Sequence, residues 1–312
     1  MENNSNHEVN VTPYYLMSSI LKNISQVILL ENTISGLIIL VAITIANYQL
    51  GIVALLSSIV GTLVALLAGG DRSLIEKGLF GYNSVLTGLA LYLFLADNMR
   101  MIIAILGAAF VVIFSAAMMH FMKNLNIPVI TFPYIVLTWF LLLTSYHLEI
   151  FKLSSSLVPQ DLTQWQLITK GNVNIIAGFA DGIGQVYFLD KLLPSGLIIL
   201  AIFWASRKLG IYAIIGTLVS WLVAYTFGAE HNILNLGLYG YNVVFAILAV
   251  GLVFEGDKPF ALMSGIIAAA ITVPLTAGMN TWLSIYGLPV LTMPFVLVTW
   301  IFIGARKVLP KL

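Results

Sequence analysis

The chain contains no cysteine, which excludes disulfides, thiolate metal sites and thiol nucleophiles. Charge is almost as scarce: 9% of its 312 residues are charged, against about 25% in a soluble domain. The net charge is +1 and no basic run interrupts the sequence, so nucleic acid is not an expected partner. The histidines form no His-x-x-x-His pair, and Glu230-His231 falls between apolar runs. With no metal cluster and no activated nucleophile, the chain is not expected to be an enzyme, and no cofactor or metal is expected. Its carboxylates, among them Asp71, Glu76, Asp97, Glu149, Glu230, Glu255 and Asp257, sit at the ends of apolar runs and never at a midpoint. Ion-coupled transport normally leaves such a group deep in a bundle, so the pattern favours uncoupled flux.

What is present is hydrocarbon. Sixty per cent of the residues are hydrophobic and the mean hydropathy is +1.00, so lipid or protein, not water, must surround most of the chain. Ten apolar stretches lie near 34–49, 50–68, 80–96, 101–121 and 132–148, then 195–206, 210–228, 239–254, 259–280 and 293–306. A shorter amphipathic piece precedes each set of five, at Tyr14–Leu30 and Asn172–Leu189. Each holds polar residues (Ser18, Ser19, Asn23 and Gln26; Asn174, Asp181 and Gln185) that lipid would not tolerate all round, which predicts re-entrant helices shielded by protein. Met1 to Pro13 lack the charged-then-apolar pattern of a signal peptide, so insertion is expected to rely on the spans.

The chain also says nearly the same thing twice. Gly78-Leu-Phe-Gly-Tyr-Asn83 returns as Gly237-Leu-Tyr-Gly-Tyr-Asn242. Ile127-Pro-Val-Ile-Thr-Phe-Pro-Tyr-Ile-Val-Leu-Thr-Trp139 returns as Leu288-Pro-Val-Leu-Thr-Met-Pro-Phe-Val-Leu-Val-Thr-Trp300. A doubled sequence in so apolar a chain predicts an all-α integral membrane protein of ten transmembrane helices. Its domains are then two five-helix repeats, residues 1–160 and 161–312, each with a re-entrant pore helix. Five spans is an odd number, so the second repeat enters inverted. With both termini cytoplasmic, only Arg100, Lys152, Lys170 and Lys191 of the 14 basic residues fall outside, as the positive-inside rule asks. Pro133 and Pro294 suit the first turn of a helix. Helices that begin there are too short to cross, and their positive ends are expected to face a solute path.

These paired blocks, with Gln26-Val-Ile-Leu-Leu-Glu31 and Gln185-Val-Tyr-Phe-Leu-Asp190 ahead of each half, resemble those of the urea transporter (urea channel) family of bacterial type. The resemblance runs from about residue 14 to 306. It implies a passive urea channel in the cell (inner) membrane, a homotrimer with a narrow, flat filter between the halves of each protomer. Gln26 and Gln185 would be acceptors at its two ends, and Thr131 and Thr292 would sit at its middle. Val27, Leu29, Val186 and Phe188 would flank its outer parts; Tyr82, Leu86, Tyr241 and Phe245 would line the rest. The chain departs from the family at Tyr82 and Tyr241, where phenylalanine is common, and at Phe245, where leucine is usual. The expected partners are urea or a similar small amide, and membrane lipid. The alternatives are a channel for other small amides or for ammonium or ammonia, and an ion-coupled transporter of a small polar solute. His120 and His147 have no histidine counterparts in the second half, which weighs against a path built on paired histidines.

Bland roles compete at several of these positions. Thr131 and Thr292 could act as N-caps. Thr138 and Thr299, two turns further on, are expected to bond back to the preceding turn. Asn83 and Asn242 are expected to tie down unwound backbone. Glu31 and Asp190 are expected to form local salt links, for instance with Lys191.

Overall fold

The computed structural model describes residues 11–169, 172, 174–254 and 256–312. The first residues to position 10, with His7, and also Lys170 and Glu255, lie outside the described residues. The first half runs α1 (Pro13–Gln26), α2 (Thr33–Ala46), α3 (Tyr48–Leu67), α4 (Arg72–Glu76), α5 (Tyr82–Phe94), α6 (Arg100–Lys123) and α7 (Phe132–Leu143). The second half repeats that order: α8 (Ile175–Gly184), α9 (Leu192–Ala205), α10 (Arg207–Thr226), α11 (His231–Asn235), α12 (Gly240–Leu248), α13 (Ala261–Ser284) and α14 (Met293–Arg306). A π-helical turn, Ala249–Val253, continues α12. Each of the ten apolar stretches holds one of these helices. The first two boundaries shift because Asn47 ends α2 and caps α3 at once, accepting from the N–H groups of Gln49 and Leu50. Ser206 does the same between α9 and α10.

Helices α3, α6, α10 and α13 have 20 to 24 residues and are long and apolar enough to cross a membrane. At about 1.5 Å per residue they span about 30–36 Å, the thickness of a hydrocarbon core. A fifth crossing is available if the bent pair Gly178–Tyr187 and Leu192–Ala205, which meet at 75°, counts as one. The other apolar helices are shorter; α5 has 13 residues and α7 has 12. Apolar side chains also cover the outside. Leu37, Val41 and Ile45 form an exposed stripe along α2, and Ile102, Leu106, Phe110 and Ile113 one along α6. Such stripes need an apolar medium.

The polar residues of α1 are shielded by protein. Ser18, Ser19 and Asn23 are buried; Asn23 Nδ2 donates to Thr62 Oγ1 at 2.8 Å and Ser58 Oγ at 3.0 Å. Both segments stop alike. The Leu30 N–H bonds to the Ser25 carbonyl across Leu29, which has φ 61°; the Leu189 N–H bonds to the Gly184 carbonyl across Phe188, with φ 60°. This left-handed helix stop usually takes glycine. A bulky residue there costs about 1–3 kcal/mol, a kind of strain that gathers at functional sites. Matched glycines seat these segments. A Cβ on Gly78 would lie 2.8 Å from the backbone of Lys22 and Asn23, and one on Gly237 would lie 2.2 Å from the Gly182 nitrogen.

Hydrogen bonds join the halves at several places, among them Tyr187 Oη to the Ile24 carbonyl at 2.7 Å. Ser35 Oγ of α2 donates to the Ala201 carbonyl of α9 at 2.7 Å. Trp139 Nε1 of α7 donates to the Pro289 carbonyl, and Trp300 Nε1 of α14 to the Pro128 carbonyl, both at 2.8 Å. The linker that follows α7, residues 149–169, is held to both halves: the Ser154 N–H donates to Phe94 O (2.8 Å) and the Gln160 N–H to Ser284 O (2.9 Å).

Candidate functional site

Helices α7 and α14 begin inside the protein, each with proline in its first turn. The residue two places ahead of each proline's phenylalanine or methionine neighbour is left-handed: Ile130 has φ 52° and Leu291 has φ 53°. Two side chains hold each strained carbonyl. Tyr82 Oη donates to Ile130 O at 2.5 Å and Asn83 Nδ2 at 3.3 Å. Tyr241 Oη donates to Leu291 O at 2.8 Å and Asn242 Nδ2 at 3.0 Å. The tyrosine hydroxyls thus find partners on backbone, and the asparagines tie down the break as their positions predict.

Thr131 and Thr292 stand at the N-cap positions, yet neither hydroxyl caps its helix. An N-cap normally has extended backbone, which swings its oxygen over the first turn. Thr131 (φ −88°, ψ 7°) and Thr292 (φ −98°, ψ 21°) do not. Their hydroxyls meet each other instead, 2.8 Å apart and buried, 161 residues apart in sequence.

Thr292 also lines a cavity of about 640 Å3, walled by Gln185, Val186, Phe188 and Tyr241, with Tyr134 and Asp190 beside them. Phe94 meets Phe188 edge-on, ring centroids 5.7 Å apart, and Ser156 and Leu157 of the linker complete the wall. Gln185 Nε2 donates to the Leu236 carbonyl at 3.3 Å, which fixes the amide while its oxygen stays available. Gln26, Val27, Leu29, Tyr82, Leu86, Thr131 and Phe245 are not part of this wall. Val27, Tyr82, Leu86 and Phe245 are buried in the core, Gln26 and Leu29 half-buried. Thr131 reaches the cavity only through its bond to Thr292.

The family model for urea transporters matches residues 17–307. The chain belongs to the urea transporter family. Urea transporter 1 of Ovis aries is 29% identical over 291 residues, covering 91% of this chain and 75% of that protein. Urea transporter 1 of Capra hircus is 30% identical over 292 residues with the same coverage, and that of Mus musculus 28% over 294, covering 92% and 76%. As a urea transporter family member the chain is a membrane transporter and not an enzyme.

Two expectations about this transporter need correction. Thr138 and Thr299 do not bond back to the preceding turn; both hydroxyls are buried without a hydrogen-bond partner among the described residues. Back-bonding is open to a helical threonine here, as Thr217 and Thr272 show at 2.9 and 2.7 Å, but these two hydroxyls are turned away from it. Lys191 does not pair with an acid either: its Nζ donates to the Ala46 carbonyl at 2.9 Å. Glu31 pairs with Lys22 at 3.3 Å. The sequence reading also passed over the tryptophans that close each repeated block, although Trp139 and Trp300 were visible at matched positions. Tyr134 was likewise in plain view beside Pro133, but nothing local distinguishes a cavity wall from core.

Proposed function

We propose that the chain conducts urea passively through a narrow passage where its two halves meet. The protomer is a bundle of ten membrane helices in two inverted repeats, residues 1–160 and 161–312, each opened by a re-entrant helix. The repeated helix order and the reciprocal tryptophan bonds support that arrangement. Both termini are cytoplasmic on the bias of basic residues, the location is the cell inner membrane, and the assembly is the homotrimer that the resemblance implies.

Urea is planar and uncharged, with one carbonyl acceptor and four N–H donors. Stripping such an amide of water without replacement costs about 4–8 kcal/mol. Flow needs weak replacement sites in series, since one strong site would hold the solute. Gln185 and Gln26 accept from its N–H groups at the two mouths, and the hydroxyls of Thr131 and Thr292 serve at the middle. Val27, Leu29, Val186, Phe188, Tyr82, Leu86, Tyr241 and Phe245 supply apolar walls for its flat faces. The observation that carries the reading is the buried Thr131–Thr292 contact at the starts of two matched short helices, on the wall of a cavity that also holds Gln185.

Stopped-flow light scattering on proteoliposomes tests it. Gln26→Ala with Thr131→Val should cut urea permeability at least about tenfold, the loss of two modest hydrogen bonds, with the protein still folded. Unchanged urea permeability in that double variant refutes the assignment. Ammonium, formamide, acetamide and water run in parallel separate a urea path from a general amide or ammonia path. Uptake that persists after the proton gradient is collapsed separates it from coupled transport.

A further inference from the structure

The two halves share one break but not the side chains packed around it. In the second half Phe295 stacks on Phe245, ring centroids 4.9 Å apart and planes at 25°, and both are fully buried. At the matched positions the first half has Tyr134 and Leu86. Tyr134 is 1% exposed, yet it lines the 640 Å3 cavity with Thr292 and Gln185. Its hydroxyl forms no hydrogen bond with a described residue, and Thr292 on the same wall bonds Thr131.

The Thr131–Thr292 hydrogen bond occupies one of those two hydroxyl protons. The Tyr134 hydroxyl keeps its own, and phenol is more acidic than an aliphatic alcohol and is the better donor, so a carbonyl arriving from the cavity meets that proton at Tyr134. Tyr241 Oη is engaged on Leu291 O and Gln185 Nε2 places one of its two N–H groups on Leu236 O; Tyr239 and Asn280 also line the wall but are less buried than Tyr134. The acceptors assigned above serve the N–H groups of the solute and leave its carbonyl oxygen without a donor.

We propose that Tyr134 is a further solute-contacting residue, whose hydroxyl donates to the carbonyl oxygen of urea beside the Thr131–Thr292 contact and thereby favours a carbonyl over a thiocarbonyl. The inference rests on the urea-conducting reading. Sulfur is a weak acceptor, so thiourea gains little from the same hydroxyl.

The test is Tyr134→Phe in proteoliposomes, with urea and thiourea permeability measured on one preparation and folding followed by gel filtration. Urea permeability should fall about five- to tenfold, the effect of one neutral hydrogen bond, while thiourea changes less than about twofold. A wild-type protein that conducts urea, with a urea-to-thiourea ratio unaltered by Tyr134→Phe, overturns the assignment of Tyr134. An equal loss of both solutes overturns it too, and marks the residue as packing. If the wild type passes no urea, the conduction reading itself fails, and this proposal with it.

Discussion

The two halves agree wherever the backbone must be held and differ in the side chains packed around those places. The tyrosine and asparagine clamps, the left-handed Ile130 and Leu291, the prolines and the reciprocal tryptophans are matched nearly atom for atom. Around them the matched pairs diverge. Lys22 and Glu31 form an ion pair in one half; at the same positions the other half has Asp181 and Asp190. Leu29 faces Phe188 in the alignment, and Leu86 with Tyr134 faces Phe245 with Phe295. Two short helices can meet head to head only if both breaks have the same geometry, so the scaffold is constrained twice over. Side chains around the two breaks meet different surroundings, and nothing forces them to match.

The largest expected effect comes from removing that divergence at Phe245. Phe245→Leu makes the second half like the first, where Leu86 stands. It takes away the ring stacked on Phe295 and leaves room beside that residue. Acetamide and methylurea permeability should rise several-fold relative to urea in a proteoliposome flux assay. If uptake of the larger amides does not rise, Phe245 does not set the width of the path. Stability should fall by about 1–3 kcal/mol, since a buried ring is cut back and the core closes only in part.

The asparagine clamps offer a finer test. Asn242 both donates to Leu291 O and accepts from the Phe295 N–H at 3.2 Å. Asn83 donates to Ile130 O and Ser115 Oγ, but its Oδ1 has no partner among the described residues. Asn242→Ala should therefore lower the thermal unfolding midpoint in detergent more than Asn83→Ala, by the equivalent of about 1 kcal/mol. Equal shifts would mean that the matched donor bond dominates both clamps. The tryptophans predict the opposite pattern. Trp139→Phe and Trp300→Phe each lose one bond of the same length to the other half, so their midpoints should drop alike, by about 1 kcal/mol each. A difference of more than about twofold between them would break the symmetry argument at the place where it is strongest.

How far the sequence could carry these comparisons depends on whether a feature is local. Helix starts at Pro133 and Pro294, the doubled Gly-Tyr-Asn blocks and the polar faces of α1 and α8 all act within a few residues, and their patterns are plain. The α2–α3 boundary was harder, because Asn47 is one polar residue inside a long apolar run. The contact between Thr131 and Thr292 was beyond reach. It depends on two backbone breaks meeting, and the N-cap expected of each threonine was lost to the ψ angle that the left-handed neighbour imposes. The local salt link expected of Glu31 does form, but that its partner is Lys22 was hidden for the same kind of reason. Lys22 lies about two helix turns before the stop at Leu29, and the chain is brought back past it at Glu31 by a turn whose direction only the fold reveals.

That ion pair yields the smallest effect. Lys22 is 16% exposed and Glu31 47%, so solvent screens much of their attraction, and such pairs are worth about 0.2–1 kcal/mol. Lys22→Gln should leave the unfolding midpoint within that margin and change urea permeability less than about twofold, since a neutral solute feels little from a charge that is already paired. Raising the salt should reduce even this difference, as the Debye length falls to about 3 Å at 1 M. A larger loss, insensitive to salt, would mean that Lys22 holds the α1 stop in place mechanically. The charge difference between the two mouths would then be a consequence of how each segment is anchored, and not a property of the path itself.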